Sequence, residues 1–145
     1  MPGLVDKART LLSRHSERVR GRLFLDAVMA ASALVATVDG EVNLPELLRR
    51  DALLDRIDAL KAFDAQDAVQ RFEKFVAAIE ADPEAGSARA LQAVSRFGDD
   101  PEAAQLLLRA AVAIAKADAG FSTEEQRSVA RLCEALGMEE LDLEA

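Results

Sequence analysis

Apolar residues recur at helical spacing along nearly the whole chain, and seven amphipathic or buried helices can be read from that pattern. Leu4, Ala8, Leu11, Leu12, His15 and Val19 share one face of a first helix, with basic residues opposite. A second helix, from about Arg22 to Val38, is apolar on nearly all sides and rich in Ala27, Ala30, Ala31, Ala33 and Ala36. Such small side chains allow neighbouring helices to approach closely, which places this helix in the middle of the fold. Asp39-Gly40 ends it, and a third helix from Leu44 to about Leu60 turns Leu47, Leu48, Leu54 and Ile57 inward. Asp64 caps a fourth, carrying Val69, Phe72, Val76 and Ile79, which Asp82-Pro83-Glu84-Ala85-Gly86 breaks. Ser87 to Phe97 forms a short fifth helix. Asp100 and Pro101 then stand at the N-cap and first position of a sixth, and the seventh runs from Thr123 to Gly137.

No linker is long enough to separate domains, so the expected fold class is all-α: a single helical bundle of about seven helices built from two pseudo-repeated halves. Residues 1–21 form a basic amphipathic N-terminal helix and residues 22–145 the helical domain.

Composition agrees with that reading. Half of the 145 residues are apolar, aromatics make up 4%, and Thr, Ile and Tyr are too few for a sheet. A chain of this length buries enough surface to fold without disulfides. Cys133 is the single cysteine, which excludes an internal disulfide and a thiolate zinc cage; its phase with Val129, Leu132 and Leu136 makes it a buried small hydrophobe. Leu23 to Val38 contains Asp26, and Leu106 to Ala117 carries Arg109 and Lys116, so neither stretch supplies the roughly 20 apolar residues of a membrane span. No signal peptide opens the sequence, and the expected location is the cytoplasm.

Charge is divided unevenly. Residues 1–25 hold six Lys/Arg against two acids, a net of +4, while the remainder holds 12 against 24, a net of −12. The acidic body offers no basic face to nucleic acid. The basic helix can pack on its own domain, dock a protein partner, or lie on an anionic membrane surface.

The candidate chemistry lies in two segments 79 residues apart that align without a gap, Ala36 to Glu46 and Ala115 to Glu125. Each follows an alanine-rich helix and opens an amphipathic one, which suggests a duplicated unit. Two readings apply. Asn43-Leu44-Pro45-Glu46 and Ser122-Thr123-Glu124-Glu125 both fit the capping box, in which the N-cap side chain takes the N3 amide and the N3 Glu reaches back. Capping does not explain Asp39 and Asp118, since an anion at a helix C-terminus opposes the macrodipole by about 0.3–1 kcal/mol. Either turn amides or a bound divalent cation would compensate them. Candidate ligands are Asp39, Glu41, Asn43 and Glu46, with Asp118, Ser122 and Glu125 as a weaker set. Calcium is the first expectation, with magnesium, manganese and zinc as alternatives. The loop is not an EF-hand, because Leu44 stands where that motif needs Gly and Arg50 where it needs Glu. A metal-dependent hydrolase on the same carboxylates is disfavoured, since the single histidine, His15, lies outside both loops.

At these residues the chain resembles the TerB family of tellurite-resistance proteins. Its repeated Ala-Asp-Gly-x-hydrophobic-Ser-x-Glu-Glu signature is matched by Val38-Asp39-Gly40-Glu41-Val42-Asn43 with Glu46, and by Ala117-Asp118, Phe121-Ser122 and Glu124-Glu125. Lys61-Ala62-Phe63-Asp64 and Asp100-Pro101-Glu102-Ala103-Ala104-Gln105 resemble family segments too, so the similarity runs from about Arg20 to Gly137. Pro45 and Ala119-Gly120 depart from the signature; the lost oxygen donor at Gly120 weakens the second loop as a metal site. The resemblance implies an all-helical, non-enzymatic cytoplasmic protein of the tellurium stress system. It further implies divalent-cation binding through acidic residues and association with a membrane-protein partner, TerC. An adaptor that docks such a partner without metal is the alternative, and residues 1–22 would allow peripheral association with the inner face of the membrane.

Overall fold

Alanine-rich spacing produces a helix that other helices can surround. In the computed structural model, which describes residues 20–38, 60, 63–117 and 122–138, α1 (20–36) is buried along most of its length. Leu25, Ala27 to Ala31, Ala33 and Val35 are each at most 1% exposed. Ser32, the one buried polar residue of this helix, returns its hydroxyl to the Val28 carbonyl at 2.8 Å. Thr37 closes the end by donating both its amide (3.0 Å) and its hydroxyl (2.8 Å) to the Ala33 carbonyl.

Four further helices follow: α2 (Ala65–Ala81), α3 (Pro83–Ser95), α4 (Pro101–Ala117) and α5 (Thr123–Ala135). Among the described residues there is no strand, and the all-α expectation holds. The expected first helix and nearly all of the third lie outside the described residues; of the third, Leu60 is described and fully buried. One core joins α1 to Phe72, Phe75 and Ile79 of α2, Ala90 and Val94 of α3, Leu107, Leu108, Ala111 and Ile114 of α4, and Val129 and Leu132 of α5.

Side-chain oxygens start these helices. Asp64 accepts from the Asp67 amide (3.3 Å), Asp82 from Ala85 (3.2 Å) and Asp100 from Ala103 (3.1 Å). Each satisfies one of the four amides that a helix start leaves without an internal partner. Pro83 and Pro101 occupy first helical positions, where a missing N–H costs nothing.

One expectation is corrected. The break between the fourth and fifth expected helices is a single residue, Asp82, so α3 begins at Pro83 rather than Ser87 and ends at Ser95 rather than Phe97. Gly86 reads as a loop residue in the sequence, but it lies inside α3, where the chain needs the absence of a side chain. A Cβ there would stand 2.4 Å from the carbonyl carbon and oxygen of Ala78 and 2.5 Å from Ile79 Cα. The corner between α2 and α3 is tight because this backbone approach is open only to glycine.

Among the described residues, two polar contacts tie α1 to its neighbours. Asp26 receives Arg71 Nη1 of α2 at 3.3 Å, while Arg71 Nε bonds Asp67 at 3.0 Å, which accounts for a half-buried acid on a largely apolar helix. Arg20, its first described residue, pairs with Asp100 and lies 5.9 Å from the Phe97 ring centroid, and Phe24 meets Phe97 edge to face. The chain leaves α5 through a Schellman motif, with Gly137 at φ 70°, its amide on the Glu134 carbonyl and the Met138 amide on that of Cys133.

Gly86→Ala is expected to destabilise the protein by about 1–3 kcal/mol in urea unfolding, although the same change in an open helix stabilises by roughly 0.5–1 kcal/mol. A stability equal to or above that of the parent would contradict the close approach. Burial also pushes the Cys133 thiol above its ordinary range, against a smaller opposing effect of a backbone hydrogen bond. Cys133 should therefore react with a thiol-specific reagent at pH 8 at least about 100-fold more slowly in the native protein than in urea, because the thiolate is the reactive species.

Candidate functional site

The second acidic segment lies between two described helices. α4 is described to Ala117 and α5 from Thr123, and Asp118 lies outside the described residues. Ser122 has extended backbone angles (φ −69°, ψ 165°), and its hydroxyl accepts from the Glu125 amide at 3.1 Å. Glu125 Oε1 in turn accepts from the Ser122 amide at 3.1 Å, completing the capping box expected from the sequence. Glu125 is 8% exposed although charged, and the amides at the start of α5 supply the positive field that makes this placement favourable.

Of the seven residues proposed from the sequence, Ser122 and Glu125 are thus brought together, while Asp39, Glu41, Asn43, Glu46 and Asp118 lie outside the described residues. Among the described residues no group of three His, Cys, Asp or Glu side chains is placed to hold a metal. Capping occupies one acceptor site on Glu125 and one on Ser122. A carboxylate offers about four lone-pair sites and a hydroxyl two, so both side chains retain acceptor capacity.

A feature that the sequence pattern does not reveal lies where α1 ends, directly before Asp39. Leu34 of α1 and Val38 just after it, Ser87 and Leu91 of α3, and Ser128 and Arg131 of α5 border a cleft of about 220 Å³. Val38, 41% exposed, forms part of its rim. The one available signal is Ser128, a polar residue in the buried stripe of α5 that also holds Glu125, Val129 and Leu132. A second, wider cleft of about 390 Å³ is bordered by Arg20, Arg96, Phe97 and Asp99 beside the start of α4. Among the described residues no helix is long and apolar enough to cross a membrane.

Comparison with known proteins agrees with the acidic-loop signature. The family model described as tellurite resistance protein TerB matches residues 25–145. A tellurium resistance protein TerB from Alcaligenes sp is 28% identical over 110 residues, which cover 76% of this chain and 90% of that protein. No solved structure matches the chain. With a match that extends from the buried core of α1 through both acidic loops and α5, this chain belongs to the TerB family of tellurite-resistance proteins.

Proposed function

We propose that the chain is a non-catalytic module of tellurite resistance that binds a divalent cation through its acidic loops and presents the loaded form to a protein partner. Asp39, Glu41, Asn43 and Glu46 form the principal ligand set, and Asp118, Ser122 and Glu125 the weaker one. Calcium is the favoured ion, ahead of magnesium, manganese and zinc. The fold in this reading is a seven-helix bundle of two pseudo-repeated halves, each contributing one loop. The partner is a membrane protein of the same system, TerC, reached from the cytoplasm with residues 1–22 at the inner face of the membrane.

Family membership supports the tellurite-resistance role. The cation role rests on one sequence observation: Asp39 and Asp118 occupy equivalent places after apolar helices, where the helix field disfavours an anion. The capping box favours a second reading, in which the loops are helix starts only and the protein is an adaptor, because Ser122 and Glu125 are already engaged with each other.

Calorimetric titration separates the two. Wild type should bind calcium with a dissociation constant of about 10⁻⁴–10⁻³ M, and at ten times that concentration gain about 1.4 kcal/mol of stability. The double variant Asp39→Ala, Asp118→Ala should show neither effect. Identical heats and thermal midpoints in the two proteins would leave the adaptor reading standing. Ser122→Ala should cost about 1 kcal/mol in metal-free urea unfolding from loss of the cap. A further loss in calcium is expected if Ser122 is also a ligand, and an equal loss in both buffers would make it a cap alone.

A further inference from the structure

The cleft at the end of α1 combines three properties that point to a ligand. Its walls are largely apolar, built from Leu34, Val38, Leu91 and Leu132. Among the described residues its one lining charge is positive, that of Arg131, and no described acidic residue lines it, in a chain with 26 acids and a net charge of −8. Among the described residues Arg131 has no ion-pair partner. The third property is Ser128, which is 6% exposed and whose hydroxyl meets no hydrogen-bond partner among the described residues. Among the described residues no side-chain oxygen or nitrogen is both sealed from solvent and unpaired, so this hydroxyl, on a residue that lines the cleft, is reached by solvent. Ser32 and Ser95, by contrast, return their hydroxyls to the carbonyl one turn back.

We infer that this cleft is a binding site for a small organic monocarboxylate with an apolar body. The guanidinium of Arg131 matches a carboxylate in shape and charge, and the Ser128 hydroxyl adds a donor. Apolar walls disfavour a fully hydrated inorganic anion, which would lose its water without replacement there. A volume of about 220 Å³ suits one ring or a chain of about five carbons, since a cavity of roughly 150 Å³ accommodates benzene. The assignment does not depend on a cation at the acidic loops.

Calorimetry in metal-stripped buffer, with benzoate and valerate as probes, tests it. Both should bind with dissociation constants near or below about 1 mM. Arg131→Gln should weaken benzoate at least about ten-fold and Ser128→Ala about three-fold or more, with native circular dichroism and melting retained. Neutral benzyl alcohol should bind at least about ten-fold more weakly than benzoate and be indifferent to Arg131→Gln, and inorganic phosphate should give no heat. Ser87→Leu, which enlarges a lining residue of α3, should abolish binding in a folded protein. Absence of carboxylate binding up to about 20 mM, equal affinity in Arg131→Gln, or displacement of benzoate by equimolar phosphate would each overturn the assignment.

Discussion

Oxygen at the start of a helix is the interaction on which this structure depends. Each of the four described helices whose N-terminus is defined begins with a side-chain oxygen accepting an amide three residues on: Asp64, Asp82, Asp100 and Ser122. A cap of this kind contributes about 1 kcal/mol, comparable with a tenth or more of the stability of a domain this size. It also gives an acidic chain favourable places for its charge, because the amides of a helix start act as a positive pole. Asp100 serves twice, capping α4 and pairing with Arg20 of α1, so one carboxylate ties the start of α4 to α1.

Close packing then follows from small residues at the contacts. The alanines of α1 allow other helices to surround it, and Gly86 lets α3 turn back on α2 after one residue. The same short corner carries Ser87 and Leu91 to the end of α1, where α5 contributes Ser128 and Arg131. A cleft whose one described charge is positive thus arises where three helices meet, as a consequence of how they are joined.

What can be read from the sequence is what is encoded locally. Capping joins positions three apart, so Asp64, Asp100 and the Ser122–Glu125 box are legible from spacing alone, as are the burial of Cys133 and the stop at Gly137. The start of α3 escapes such a reading because Gly86 resembles a loop residue until Ala78 is placed against it, and that contact belongs to tertiary structure. The pairing of Asp26 with Arg71, 45 residues away, has no local signature. Neither does the cleft, which three separate helices assemble. The ligand set proposed for the first loop rests on composition and spacing alone, since gathering Asp39, Glu41, Asn43 and Glu46 around one point would require backbone geometry that spacing does not specify.

The proposed function turns on a contrast: carboxylates at the described helix starts are satisfied by amides, whereas Asp39 and Asp118 follow apolar stretches in the sequence, where a helix field disfavours an anion. A crystal structure grown with manganese and measured for anomalous scattering tests that contrast most directly. An anomalous peak is expected within about 2.0–2.3 Å of carboxylate oxygens at the first loop, and a weaker one at the second. Density showing both aspartates bonded solely to main-chain amides and water, with no anomalous peak at either loop, would contradict the assignment of a cation role.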